Sequence, residues 1–166
     1  MRDIVLGLSG GVDSAVSACL LQRAGWRVHG LYLDNGLSAG RDDAQTVADA
    51  LGIELEVADI AAELERAVCA PFAAAYLRGE TPNPCILCNP AVKFRLLLER
   101  AEALGGGAIA TGHYARAIDG GLYRGRAAND QSYMLCRITR AQLARLVLPL
   151  GEMEKAQTRA LAAEAG

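Results

Sequence analysis

Residues 8–15 read LSGGVDSA. Before them, Ile4-Val5-Leu6-Gly7-Leu8 is apolar apart from its glycine. After them, Ala15 to Ala24 is rich in Ala, Val and Leu and stops at Gly25. That is the order strand, glycine turn, helix start. A Gly-Gly turn lets backbone N–H groups approach an anion without hindrance from a Cβ. A helix beginning near Ser14 adds its positive end, and Ser9 and Ser14 supply hydroxyl donors. The stretch therefore reads as a phosphate or pyrophosphate cradle. It is not a Walker A loop, because the Gly-Lys-Ser/Thr ending is missing, and it lacks the Gly-x-Gly-x-x-Gly dinucleotide fingerprint. Asp13 would repel phosphate unless Mg²⁺ lay between them, which points to a metal–nucleotide ligand.

The remaining chain alternates the same two periods. Strands are expected at 3–8, 28–33, 53–57 and 108–110. Helices are expected at 14–24, at 42–51 with Asp42 or Asp43 as N-cap, at 60–78 with a break at Pro71, and at 92–104. HYARAIDGGLYRGR, from His113 onward, reads as a hairpin turning at Asp119-Gly120-Gly121. The last stretch, 139–165, reads as helical and broken at Pro149. The fold class expected is α/β, a parallel sheet with helices on both faces. Ligands on such sheets bind at the carboxyl ends of the strands. Ser9–Ser14, Asp34–Asn35 and Thr111–His113 all fall at such ends.

The 166 residues suit one domain with one core, and 52% of them are hydrophobic, enough to fill it. Lys and Arg number 17 against 19 Asp and Glu, which argues against a generally basic nucleic-acid coat and leaves room for a local patch. No apolar run reaches the roughly 18–20 residues of a membrane span. Met1-Arg2-Asp3 leads directly into a strand without a signal-peptide pattern, so the cytoplasm is the expected location. In that compartment five cysteines are expected as thiols, metal ligands or redox groups rather than disulfides.

Cys85 and Cys88 stand out in GETPNPCILCNPAVKF, residues 79–94. Two prolines hold Thr81 to Pro84 extended, so the pair is expected on a fixed loop just ahead of a helix. A helix N-terminus there would lower a thiol pKa, with Lys93 and Arg95 adding positive charge. Three chemistries fit the spacing: a persulfide carrier, a redox dithiol, or two ligands of a zinc or iron–sulfur site. A zinc site needs about four ligands, and no second Cys-x-x-Cys is present. Cys19, Cys69 and Cys136 read as packing thiols, with Cys136 the alternative extra ligand. Gly112 permits close backbone approach, and His113 is a candidate contact for phosphate or a polar substrate, with a hydrogen-bonded loop histidine as the alternative. Asp130, Gln131 and Ser132 form a polar cluster that orients a ligand or caps a helix. Lys93 is a candidate point charge for phosphate, with a solvated helix lysine as the alternative. Tyr114 and Tyr133 are candidates for stacking on a base.

SGGVDS resembles the pyrophosphate loop of the PP-loop ATP pyrophosphatases, which cleave ATP between the α and β phosphates and adenylate a substrate oxygen. TPNPCILCN with the following KF resembles the signature of tRNA-specific 2-thiouridylases of the MnmA type. ATGHYAR at 110–116, NDQSYML at 129–135 and PLGEMEKAQTRALAAEAG at 149–166 resemble further motifs of that family, in the same order. The resemblance implies ATP binding by Leu8, Ser9, Gly10, Gly11, Val12, Asp13, Ser14, Leu33, Gly112 and His113, with Mg²⁺. It implies tRNA contacts from Lys93, Asp130, Gln131 and Ser132. Asp13, Cys85 and Cys88 become the catalytic residues: a wobble uridine is adenylated, and a sulfur carried on Cys88 replaces its C2 oxygen. The partners implied are tRNA and a persulfide-donor protein. An alternative carrier is a 4Fe-4S cluster with Cys85 and Cys88 among its ligands.

Three features depart from the family pattern. Asn129 stands where the family has Lys. DNGLSAGRDDA after Leu33 is shorter than the family's stretch. The sequence ends at Gly166, about where a central domain with a second active-site cysteine and a β-barrel domain would follow. The expectation is a single PP-loop domain, residues 1–166, with those domains supplied by a partner chain if they are needed. The alternative function is a stand-alone nucleotide-binding or sulfur-handling module acting on another substrate.

Overall fold

The structure is a computed structural model that describes residues 2–37, 40–126 and 128–165. Met1, Gly166 and Ser38–Ala39 of the shortened stretch, on which parts of the sequence reading fell, lie outside them.

Along the chain, β1 (Arg2–Gly7), α1 (Val12–Arg23), β2 (Trp26–Asp34), α2 (Gly40–Leu51) and β3 (Glu54–Asp59) come first. A helical stretch follows, made of α3 (Ala61–Leu64), a π-helical turn (Glu65–Cys69) and α4 (Ala70–Leu77). A second comprises α5 (Pro84–Cys88), another π-helical turn (Asn89–Lys93) and α6 (Phe94–Ala103). Then come β4 (Ala108–Ala110), the hairpin β5 (Ala115–Ile118) and β6 (Gly121–Arg124), a 3₁₀ turn (Ser132–Leu135), α7 (Arg140–Ala144), β7 (Leu146–Val147) and α8 (Lys155–Ala165).

Five strands form one parallel sheet in the order β3-β2-β1-β4-β7. Side chains of β1 alternate between its faces, as a strand requires. Ile4 and Leu6 pack with Ala18 and Leu21 of α1 and Ala48 of α2. Val5 points the other way, into Phe94, Leu97 and Ala101 of α6. Ile4, Leu6, Phe94 and Leu97 are fully buried, each stabilising the fold by roughly 1.5–3 kcal/mol. The hairpin turns at Asp119 and Gly120, both at positive φ (49° and 73°), the two-residue turn whose twist matches paired strands. No helix among the described residues is long and apolar enough to cross a membrane.

Strand order decides where a ligand can sit. From β1 the chain winds to β2 and β3 on one side, then returns to place β4 on the other side of β1. The loops leaving β1 and β4 therefore diverge and open a crevice at the carboxyl edge of the sheet.

Several local expectations are corrected. Pro71 does not break its helix, and the second helix starts at Pro84 rather than Val92. Pro71 follows one π-helical turn and Pro90 lies within the other; these turns are closed by Ala70 N–H to Glu65 O and by Phe94 N–H to Asn89 O. Widening the turn by one residue accommodates the missing N–H and the bulk of the ring without ending the helix. Asp42 and Asp43 lie in the first turn of α2 rather than at its cap, because that helix starts at Gly40. The C-terminal stretch contains a fifth strand, β7, only two residues long.

Candidate active site

The β1–α1 connection is tied by its own two serines. Ser14 Oγ donates to Gly11 O at 2.9 Å and accepts from Ser9 N at 3.2 Å, and the two hydroxyl oxygens are 3.1 Å apart. The hydroxyls thus shape the loop. The N-cap of α1 is Gly11, with no side-chain cap. The first-turn N–H groups therefore keep their donors for an anion. Asp13, in that first turn, is held at both oxygens: Tyr114 OH donates to Oδ1 at 2.8 Å, and Lys155 Nζ lies 2.5 Å from Oδ2. Tyr114 is buried and also bonds Thr158 of α8 at 2.9 Å. It is a scaffold residue, not a surface for a base. Burial, with the Asp13 carboxylate beside it, pushes its phenol up to about 12.

The β4 end closes against this loop. A Cβ on Gly112 would lie 3.1 Å from the Asp13 carbonyl and 3.2 Å from Ser14 N, so the position takes glycine because backbone passes over backbone. Thr111 Oγ1 and His113 Nδ1 are 2.7 Å apart, and the His113 ring stacks with Phe94 at 6.3 Å. Burial, helped by the nearby Lys93 charge, pushes His113 down to about 3. It is a neutral hydrogen-bonding group at physiological pH, not a cation for phosphate.

The opposite wall comes from α5 and the turn after it. Asn83 caps α5, its side chain accepting from Cys85 N at 3.0 Å. Asn89 reaches across to Met134 O at 2.9 Å and pins this segment to the 3₁₀ turn. Cys88 is the last residue of α5, not a loop residue ahead of a helix, and half-buried. Burial therefore pushes its thiol up, against the expectation of a lowered pKa, while the Lys93 charge pulls it back. Lys93 is lowered in turn by burial. An ordinary helix would turn Lys93 about 140° away from Cys88; the π-helical turn between them lets both face the crevice.

That crevice has a volume of about 440 Å³. Of the residues singled out in the sequence, Leu8, Ser9, Asp13, Ser14, Leu33, Cys88, Lys93, Gly112, His113 and Gln131 line it. Gly10, Gly11, Val12, Cys85, Asp130 and Ser132 do not. Asp130 serves its own turn, accepting from Gly125 N, Ser132 N and Ser132 Oγ at 2.7–3.1 Å. Burial would raise its pKa, but these hydrogen bonds outweigh that and hold the carboxyl below its usual value. Gln131 Oε1 accepts from Tyr114 N at 3.1 Å and supports the wall it lines. Sequence reasoning overlooked Tyr32 and Met134 in the lining. It also overlooked Lys155 as the partner of Asp13, although PLGEMEK had been singled out. Cys69 and Cys136 are exposed rather than packed. Among the described residues no three His, Cys, Asp or Glu side chains converge to hold a metal ion. Cys85 and Cys88 therefore do not fit a 4Fe-4S cluster within these residues. Asp13, a single carboxylate beside an anion cradle, does fit Mg²⁺ that arrives with a nucleotide's phosphates.

Solved structures with the same fold include a 4-thiouridine synthetase in complex with RNA and ATP (TM-score 0.68, 19% identity, 99% of this chain and 41% of that one). Another is a predicted tRNA methyltransferase subunit from Methanocaldococcus jannaschii (TM-score 0.64, 20% identity, 99% and 75%). In sequence, the chain is 45% identical over 180 residues to the tRNA-specific 2-thiouridylase MnmA of Ralstonia pickettii, covering 99% of this chain and 49% of that protein. It is 48% identical over 183 residues to the protein of the same name from Rhodospirillum rubrum, covering 98% and 48%. The chain spans about half the length of the curated relatives it matches. Residues 2–166 match the family model described as the tRNA methyl transferase HUP domain, and the chain belongs to that family.

Proposed function

We propose that this chain is the ATP-using part of a tRNA 2-thiouridylase: it adenylates the C2 oxygen of a tRNA uridine and delivers sulfur to the activated carbon. One observation carries the reading. A single crevice has an uncapped helix N-terminus with its serine-tied loop on one wall and a cysteine with a neighbouring lysine on the other. The names of the relatives support the substrate.

The first-turn N–H groups of α1 bind the pyrophosphate of ATP. Asp13 would hold the Mg²⁺ of a bound nucleotide, which would neutralise phosphate charge. The uridine C2 oxygen attacks the α phosphorus, and pyrophosphate leaves. The outer sulfur of a Cys88 persulfide then attacks C2, and AMP departs with the oxygen. Lys93 offsets the negative charge that develops between Cys88 and the leaving phosphate. Cys85 attacks Cys88 Sγ, releasing the thiolated base and leaving a Cys85–Cys88 disulfide that an external thiol must reduce. Neutral His113 and Gln131 orient the polar edge of the base. A persulfide-donor protein and, where needed, a partner chain complete the system.

The test follows AMP and pyrophosphate with and without tRNA, for wild type beside Asp13→Ala and Cys88→Ser. The expected result is tRNA-dependent AMP that Asp13→Ala abolishes and Cys88→Ser keeps while losing thiolation. ATP binding with no response to tRNA would overturn the reading in favour of a nucleotide-binding module with another substrate.

A further inference from the structure

Three of the five cysteines lie on two packed segments at one wall of the crevice. Cys69 closes the π-helical turn Glu65–Cys69, and Cys85 and Cys88 lie one helical turn apart on α5. The two segments pack together: Ala67 of the turn flanks an apolar cluster built on Val68, with Leu87 and Cys88 contributed by the helix. Electrostatics agrees with the packing. Beyond the larger effects of burial and Lys93, charges on Cys85 and Cys69 are both felt at Cys88. Exposure separates the three. Cys69 is exposed, Cys85 and Cys88 are half-buried, and Cys88 alone of them lines the crevice. They do not converge as metal ligands would.

A cleft thiol that gives up sulfur in each cycle must be recharged. A protein-sized donor cannot easily reach a half-buried thiol across a crevice that also takes a nucleotide and an RNA. An exposed thiol on the turn packed behind it solves that problem, and π-helical turns are frequent at functional positions. We infer that Cys69 is the surface acceptor of a thiol relay: it takes a sulfane sulfur from an external persulfide and passes it to Cys88 from behind the wall. The inference rests on the reading of Cys88 as sulfur carrier.

The chemistry balances without an oxidant. The Cys69 thiolate attacks the outer sulfur of a donor R–S–S–H. The donor S–S bond breaks, and R–S⁻ leaves with the electron pair. Cys69 then carries –S–S–H. The Cys88 thiolate attacks that outer sulfur, the bond to Cys69 breaks, and Cys69 returns as thiolate. The proton on the outer sulfur travels with it, and each step is an exchange between thiolate and persulfide.

The test needs neither ATP nor tRNA, so its failure is distinct from failure of the thiolation reading. The full chain is loaded with a sulfane-charged thiosulfate sulfurtransferase or, separately, with inorganic polysulfide, then alkylated and digested with trypsin. Peptide 67–78 carries Cys69 alone, and peptide 79–93 carries Cys85 and Cys88. From the protein donor, label is expected first on 67–78 and then on 79–93, with Cys88→Ser trapping it on 67–78. Cys69→Ser should slow protein-donor loading of 79–93 about tenfold or more, while small polysulfide still loads it. Unchanged protein-donor loading in Cys69→Ser, or no label on 67–78 in Cys88→Ser, would overturn the relay. Cys69 is exposed, so its serine variant is expected to melt like wild type.

Discussion

Lys155 Nζ lies 2.5 Å from Asp13 Oδ2, although 142 residues separate them along the chain. The pair brings the start of α8 onto the first turn of α1, and the Tyr114 ring lies 5.4 Å from the ammonium. Lys155 supplies a protein cation to the same carboxylate that would hold the Mg²⁺ of a bound nucleotide. Both partners remain partly exposed, so the pair itself adds about 1 kcal/mol or less to stability. Its consequence is for ligand charge. Asp13→Asn should lower tRNA-dependent pyrophosphate release roughly 100-fold or more, and Lys155→Met about tenfold, with partial rescue by Lys155→Arg. Melting points should barely move. Wild-type rates in Lys155→Met would remove it from the nucleotide site.

The adjacent glycines of the loop should behave differently. Gly10 has φ +79°, and a Cβ there would meet Asp43 and Ala44 of α2 at 2.6 Å. Gly11 has φ −78°, and its nearest contact would be Ser9 Oγ at 3.6 Å. Gly10→Ala should cost about 2–4 kcal/mol, from left-handed strain plus overpacking. That corresponds to a fall of roughly 4–16 °C in melting temperature. Gly11→Ala should melt close to wild type and lose ATP affinity, measured by calorimetry, because the added methyl group crowds the open N–H groups. Equal melting of the two variants would contradict this account of the loop.

His113 should make the fold acid-sensitive. Its pKa is held at about 3 in the native state, against 6.5 for an ordinary histidine. Between those values the unfolded chain binds a proton that the folded chain does not, so stability rises with pH. The contribution is complete above about 6.5 and is lost progressively as pH falls toward 3. Thermal melts from pH 7 to 5 should therefore show a decline that His113→Gln flattens. A slope unaltered by the substitution would show that burial of His113 has been misjudged.

Cys88 should be a slow thiol at neutral pH. Burial raises its pKa and only Lys93 opposes that, so its alkylation should accelerate at a higher pH than a free cysteine requires. Lys93→Met should move the profile higher still, and Lys93→Arg should restore it. Peptide-resolved iodoacetamide rates for residue 88 measure this. A profile below that of free cysteine would show that the Lys93 charge outweighs burial.

What could be read from the chain alone was local. The alternation of Ile4, Leu6 and Leu8 with Val5 marks a strand buried on both faces, and the glycines at 10 and 11 end it. The Phe94, Leu97 and Ala101 spacing marks one face of a helix. Each signal arises within a few residues, from backbone geometry and side-chain period. The local rules failed where a proline met a helix. The two prolines that hold Thr81 to Pro84 extended point to a loop carrying Cys85 and Cys88; instead the helix starts at Pro84 and, with Val92 and Phe94 fully buried, continues past Pro90.

That a ligand site would lie at the carboxyl edge of the sheet could be anticipated, because a parallel sheet places its loops there; the strand order that opens the crevice between β1 and β4 could not. Which side chains pair with one another around that crevice could not be anticipated either. Lys155 with Asp13, Cys69 behind Cys88 and Lys93 beside Cys88 are pairings set by how helices distant in sequence dock, or by a single widened turn. Residue types and periods carry the elements, because propensity and burial act over short stretches. Charge partners, thiol exposure and pKa values depend on distances between elements, and those exist only once the core has packed.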